Sequence, residues 1–209
     1  GLVGSEMCIR DRTKEVKRAT VHIAGMGLYE LFINGQRIGE QVLAPAPTDY
    51  RKTILYNTYD VTPQLQKENA IGVILGNGRF YTMRQNYKPY KIPTFGYPKL
   101  RLNLIIEYTD GSRQTIASDI SWKLTTEGPI RSNNEYDGEE YDARKELGDW
   151  NRTGYDDTNW IPAGRVSIPS GTLRAQMMPG MKVTESLKPV SIRKQGDKHI
   201  LDIGQNMAG

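Results

Sequence analysis

Short apolar segments with alternating hydrophobic and polar positions recur along this chain, and polar turns separate them. In segment 20–24 the alternation places Val21 and Ile23 on one face, as in a half-buried strand. Further strand-like segments are 28–33, 36–39, 53–59, 69–75, 100–108, 114–117 and 122–124. Short strands at this spacing, with no long amphipathic helix between them, predict an all-β antiparallel sandwich.

Turn chemistry supports the same architecture. Asn34-Gly35 lies between two strand-like segments and predicts a tight hairpin, and Asp110-Gly111 predicts a second one. Pro63 suits the first position of a single helical turn that ends near Leu65.

The composition limits the classes of protein to which this chain can belong and the kinds of partner that it can bind. The 209 residues suffice for one large or two small domains, and 21 glycines with 11 prolines favour many turns. The net charge of +4 comes from 28 basic and 24 acidic residues mixed along the chain, so we expect no nucleic-acid partner. Cys8 is the single cysteine, which excludes an internal disulfide and a paired thiolate metal site. No apolar run approaches the roughly 18 to 20 residues of a membrane span, so we expect no membrane partner.

Changes in composition predict four segments. Residues 1–12 are short, charged and without periodicity, and we expect them to derive from a cloning or sequencing adapter or to be disordered. Residues 13–168 are predicted to form the sandwich, and 169–182 to form a linker. Strand-like residues 183–209 are expected to begin a second β domain.

An acidic run at 133–144 holds five carboxylates, two tyrosines and an arginine. Carboxylates accept hydrogen bonds from sugar hydroxyls or bind calcium, and a tyrosine face stacks on a sugar ring. Asp137, Glu139 and Asp142, with Tyr136, are therefore the first candidates for a sugar or calcium site. The alternative is a solvated acidic loop whose carboxylates pair with arginines, among them Arg131.

Further candidates lie where strands are predicted to end. These ligand-binding candidates are Asp49, Tyr50, Asn77 and Arg79; the alternative for each is ordinary turn chemistry. Tryptophans could also stack on a sugar, but Trp122 fits a core position, and Trp150 and Trp160 fit anchors of a loop on the sandwich. Met177, Met178 and Met181 are expected to fill a contact between domains.

Four motifs, in order, carry a family resemblance. "YELFINGQRIGEQVLAPAPTDYRKTILYNTYDVT", "NAIGVILGNGRFY", "NEYDGEEYDAR" and "DIGQNMAG" resemble the N-terminal region of bacterial alpha-L-rhamnosidases. The "LFINGQRIG" and "YDVT" pieces are also similar to the sugar-binding jelly rolls of beta-galactosidases. The resemblance implies a galactose-binding-like jelly roll followed by the first strands of a second β domain. A tryptophan is common after "GNG" in this family, whereas Arg79 stands here and Phe80 or Tyr81 would have to replace it.

The resemblance also implies a function. In the family, paired carboxylates on a later α-helical toroid hydrolyse rhamnosides with inversion, and nothing in this chain corresponds to that module. We therefore expect no catalytic residues and no hydrolysis by this part alone; its expected role is to recognise substrate or support the enzyme. Two alternatives are a stand-alone carbohydrate-binding module for rhamnose-type sugars and a purely structural sandwich. The implied partners are a rhamnose-containing glycoside and downstream domains of the same chain, with calcium as a candidate cofactor. No feature assigns a cellular compartment.

Overall fold

The computed structural model describes residues 2–4, 14–81, 94–134 and 138–206, and these residues are almost entirely strands and turns. The strands are β1 Leu2–Gly4, β2 Val16–Met26, β3 Leu28–Ile33, β4 Gln36–Ile38, β5 Thr53–Asp60, β6 Ile71–Gly76, β7 Lys99–Tyr108, β8 Arg113–Ala117, β9 Lys123–Thr125, β10 Ile130–Asn134, β11 Gly138–Tyr141, β12 Ile161–Pro162, β13 Thr172–Ala175, β14 Ser191–Gln195 and β15 Lys198–Asp202. Two 3-10 turns, Thr62–Gln64 and Ala143–Lys145, are the only helical elements in this part of the chain. It accordingly contains no helix of the length and apolarity that a membrane crossing requires.

Two sheets face each other. One has the strand order β12-β9-β1-β6-β3-β4, and the other has the order β13-β5-β2-β7-β8. Their inward positions form one core because alternate residues of each strand point to the same side. Its members include Val21, Ile23, Leu31, Ile33, Val73, Leu102 and Leu104. The prediction of an all-β sandwich is confirmed.

Two local predictions, which depend on the preferred φ angles of particular residues, can be compared with the structure. Asn34 and Gly35 both have positive φ, at 52° and 80°, and Ile33 pairs with Gln36, so β3 and β4 are joined by a two-residue turn. Pro63 lies in the first 3-10 turn, as its fixed φ favours. Both predictions are confirmed.

Strand pairings occur in two segments that the sequence assigned to neither β domain, and the division of the chain into domains stays a prediction. Residues 1–12 were left outside the fold, whereas Leu2–Gly4 pair with both β6 and β9. A strand of three residues is too short to produce a periodic signal, so its pairing is decided by the neighbouring strands. The stretch predicted as a linker contains β13, which pairs in parallel with β5.

Beyond the sandwich, β14 and β15 pair with each other over five residue pairs, and the structure includes them in no larger sheet. An isolated two-stranded hairpin is marginally stable by itself. That these strands begin a second β domain stays a prediction.

Candidate functional site: the hairpin groove

The acidic run forms a hairpin. Strand β10 pairs with β11 in the register Asn133 to Glu139 and Asn134 to Gly138. Tyr136 and Asp137, two of the predicted ligand-binding residues, lie outside the described residues. Glu139 lies on β11 and is exposed.

A groove of about 830 Å³ separates this hairpin from the outer face of the sandwich, and we call it the hairpin groove. Its polar lining comprises Glu30, Arg79, Asn133, Asn134, Glu139, Tyr141 and Glu146. Leu28, Leu43, Pro47, Ile74, Trp150 and Met181 contribute apolar surface. Its size and mixed lining fall within the range of small-molecule sites in proteins. The structure therefore brings the predicted residues Glu139 and Arg79 to one cavity, although 60 residues separate them in sequence.

Asn77 fixes the base of the hairpin to the sandwich. Its backbone N–H donates to Asn133 Oδ1 and its Nδ2 donates to the Asn133 carbonyl, both at 2.7 Å. Gly78, with φ of 47°, turns the chain here, and a Cβ at that position would lie 2.9 Å from Leu28 Cγ. Asn77 therefore positions the groove through the two hydrogen bonds that it donates to Asn133 of β10.

Tyr141 provides an aromatic surface in the groove. Its side chain is 53% exposed, and its hydroxyl donates to Glu146 Oε1 at 2.7 Å. That hydrogen bond to a carboxylate holds the proton on the phenol and raises the pKa of Tyr141. The hydrogen bond thereby orients an exposed aromatic ring, whose face can pack against a sugar ring.

Asp142 has a local partner. Its carboxylate accepts two hydrogen bonds from the Arg144 guanidinium, both at 2.8 Å, and one from the Arg144 backbone N–H at 3.1 Å. These contacts lower the pKa of Asp142, and the carboxylate caps the second 3-10 turn. The aspartate thus shapes the exit from β11 and does not line the groove.

Asp49 is held in the same way at a distant position. It accepts from the Arg51 guanidinium at 2.9 and 3.0 Å and from the Arg51 N–H at 3.1 Å, and its pKa is lowered chiefly by these side-chain hydrogen bonds. The Asp-x-Arg spacing common to 49–51 and 142–144 is the signal that would have predicted both arrangements. Asp49 does not reach the hairpin groove.

Tyr50 and Phe80 belong to a second apolar cluster. Tyr50 is 4% exposed, and its ring lies 5.0 Å from that of Phe80 and 5.4 Å from that of Phe95. Phe80 is fully buried there, so it gives no exposed platform after the "GNG" turn. The sequence did not predict this burial, because turn residues and hydrophobic alternation do not show which aromatic rings a loop will cover.

The tryptophans take the structural places that the sequence favoured. Trp122 is 3% exposed and lies in the main core. Trp150 and Trp160 pack together on the outer side of the six-stranded sheet, where the Trp150 ring meets Phe32 edge-on at 5.5 Å. Both anchoring predictions are confirmed, and the loop they anchor forms one wall of the groove.

The described residues do not fit a calcium site. Calcium requires six to eight oxygen ligands, whereas in the described ranges no three Asp, Glu, His or Cys side chains converge. Asp142 and Asp49 are each engaged by an arginine, and Glu30 pairs with Arg37 at 3.2 Å.

A β-sandwich with an exposed groove on one face is an architecture that can hold a small-molecule ligand. The sequence model described as "Alpha-L-rhamnosidase N-terminal domain" matches residues 14–185. The chain belongs to this family.

Two relatives of this chain support the assignment to this family. The chain is 43% identical over 202 residues to an alpha-L-rhamnosidase of Formosa agariphila, covering 94% of this chain and 21% of the relative. It is 36% identical over 208 residues to one from Streptomyces avermitilis, covering 94% of this chain and 19% of the relative. The chain thus spans about a fifth of the length of these relatives.

Two solved structures contain a region with the same fold as this chain. The alpha-L-rhamnosidase of Dictyoglumus thermophilum superposes with a TM-score of 0.86 at 42% identity, over 98% of this chain and 22% of that one. The Streptomyces avermitilis enzyme, crystallised with L-rhamnose, gives a TM-score of 0.87 at 32% identity, over 98% of this chain and 20% of that one.

Proposed function

We propose that this chain is the N-terminal, non-catalytic part of an enzyme that hydrolyses α-L-rhamnosides, and that the hairpin groove contacts the glycoside. The observation that carries the proposal is the convergence of Arg79, Glu139 and Tyr141 on one groove. A guanidinium donates to sugar hydroxyls, a carboxylate accepts from them, and an exposed phenol ring packs against the apolar face of the sugar.

The extent of the match supports a role without catalysis, because the chain corresponds to the N-terminal domain and spans only about a fifth of the length of two alpha-L-rhamnosidases.

Two measurements test the proposal. A full-length protein should release rhamnose from a chromogenic rhamnoside, whereas the purified 209-residue chain, which keeps β1 between β9 and β6, should release none above a blank. Hydrolysis by the short chain would refute the non-catalytic assignment.

Calorimetry with L-rhamnose tests the groove. Binding by the 209-residue chain should be weakened at least tenfold by Tyr141→Ala and by Glu139→Gln. Glu185→Gln, which replaces an exposed glutamate away from the groove, is the matched control. Calcium should not change the affinity; if calcium is required, the site involves ligands other than the groove residues named here. Absence of binding with and without calcium would favour the purely structural alternative.

A further inference from the structure

An apolar patch lies on one edge of the sandwich, along the segment 172–182, which we call the strap. Met177, Met178 and Met181 of the strap are 90%, 60% and 55% exposed, and Leu43 beside it is 57% exposed. Large apolar side chains that are exposed close to one another on a surface mark an interaction site.

The strap is fixed to both sheets. Its first part, β13, pairs with β5 of the five-stranded sheet. Gln176 then continues the attachment, because its Oε1 accepts from the Ala46 N–H and its N–H donates to the Tyr56 carbonyl, both at 2.9 Å. The last part bonds to the chain that follows β4, where the Val42 N–H donates to the Met181 carbonyl at 2.8 Å. The methionines are therefore held outward by an ordered backbone and are not the side chains of a loose linker.

Leu43 gives a second, independent indication. Its φ is 52°, in the left-handed region that costs a non-glycine residue about 1 to 2 kcal/mol. Hydrogen bonds of Val42 to Met181 and of Tyr29 to Ala44 fix the backbone on both sides of it. The strained backbone thus holds a leucine whose side chain is more than half exposed, and this points to a partner that the leucine contacts.

We propose that Leu43, Met177, Met178 and Met181, the docking patch, bind the part of the full-length protein that follows this family domain. The proposal rests on the proposed function for the existence of that part. Relatives are about five times longer than the matched region, since the chain covers 21% and 19% of two of them. Methionine side chains are flexible and polarizable, which suits an interface between domains.

The position of the docking patch links it to the hairpin groove. Leu43 and Met181 line the groove as well as belonging to the patch. A partner domain seated on the patch would therefore form the open side of the groove. A glycoside held by Tyr141 and Glu139 would then extend toward that domain, so docking and substrate recognition share one surface.

Thiol labelling measures the proposed burial directly. Met178→Cys and Ile161→Cys are prepared in a background without other accessible cysteines, with Cys8→Ser. Ile161 is the control because it is 59% exposed, close to the 60% of Met178, and lies on β12 at the opposite edge of the six-stranded sheet from β4. Each variant is made both in the 209-residue chain and in a full-length protein.

In the 209-residue chain both cysteines should react with a maleimide at similar rates. In the full-length protein the cysteine at position 178 should react at least tenfold more slowly, while the one at 161 is unchanged. Adding Leu43→Gly, which relieves the backbone strain but removes the apolar contact, should restore at least part of the fast rate. Equal rates at the two positions in the full-length protein would overturn the proposal.

Protection that increases with protein concentration would also overturn it, because a second copy of the chain would then be the occupant. Hydrolysis of a chromogenic rhamnoside is measured on the same preparations. A protein that lacks this activity but protects position 178 would refute the proposed function and leave the docking surface in place.

Discussion

Asn77 donates two hydrogen bonds of 2.7 Å to Asn133, and this pair joins the end of β6 to β10 across 56 positions of sequence. In one bond the Asn77 backbone N–H donates to the Asn133 side-chain oxygen, and in the other the Asn77 side-chain amide donates to the Asn133 backbone carbonyl. The position of the hairpin, and with it the hairpin groove, depends on this pair.

Asn133→Ala should therefore lower the free energy of unfolding by about 1 to 3 kcal/mol, because the Asn77 N–H loses its acceptor in a partly buried position. Chemical denaturation gives this value. Asn159→Ala, which truncates an exposed asparagine, is the control and should change stability by less than about 0.5 kcal/mol. Equal effects would show that the pair does not hold the hairpin.

Gly72 of β6 provides the space for the Trp150 ring. A Cβ at position 72 would lie 2.4 Å from Trp150 Cζ3, so Gly72→Ala must displace the tryptophan. We expect a loss of about 1 to 3 kcal/mol from overpacking, together with a change in tryptophan fluorescence. Gly164→Ala is the matched control, since a Cβ there meets nothing within 4 Å. Unchanged fluorescence in the Gly72 variant would contradict this packing.

Acid stability should depend on the paired aspartates. The Arg144 guanidinium holds the pKa of Asp142 below its usual range, and Arg51 does the same for Asp49. Such a carboxyl has a lower pKa in the folded protein than in the unfolded chain, where its pKa is near 3.9. It therefore stabilises the folded protein at pH values above 3.9, and this stabilisation is lost as the pH falls through the pKa that the carboxyl has in the folded protein. The melting temperature of the wild type should therefore fall below about pH 4.

Asp142→Asn tests the assignment of this acid dependence. The variant should be less stable than the wild type at pH 6, and the difference should shrink as the pH falls through the lowered pKa of Asp142, because the protonated carboxyl is neutral like the asparagine amide. A difference that stays constant over this range would show that the charge of Asp142 has no part in it.

Alkaline stability should depend on Tyr29. Its hydroxyl donates to Asn57 Oδ1 at 2.9 Å, and burial is the main cause that raises its pKa far above the usual value near 10. The hydroxyl of Tyr29 has a higher pKa in the folded protein than in the unfolded chain, where it is about 10. The folded protein is therefore stabilised below pH 10 and loses this stabilisation as the pH rises above about 10, because the unfolded chain releases the proton first.

Tyr29→Phe should remove part of this alkaline loss. At pH 7 it should cost about 1 to 3 kcal/mol, since Asn57 Oδ1 loses a buried donor. Melting curves from pH 7 to 11 check both expectations. An identical alkaline slope in the wild type and in the variant would contradict the role of Tyr29.

The site was predicted only in part, for identifiable physical reasons. Glu139 and Arg79 were predicted separately, and the fold brings them to one groove. Asn133 and Tyr141 lie in the acidic run but were not named as individual candidates, because nothing in their spacing shows that one holds the hairpin and the other lines the groove. Tyr50 was a candidate because it follows a loop, but the aromatic cluster with Phe80 buries its ring.

By itself the sequence determined the strands from β2 to β9, the Asn34-Gly35 turn and the sandwich class, because alternation and positive-φ turn residues act over a few neighbouring positions. The tertiary structure alone decided that Leu2–Gly4 join a sheet, that β13 pairs with β5, and that the strap joins both sheets. These pairings connect positions from about 70 to more than 100 residues apart, and short segments without periodicity take their structure from whichever partner the rest of the fold places beside them.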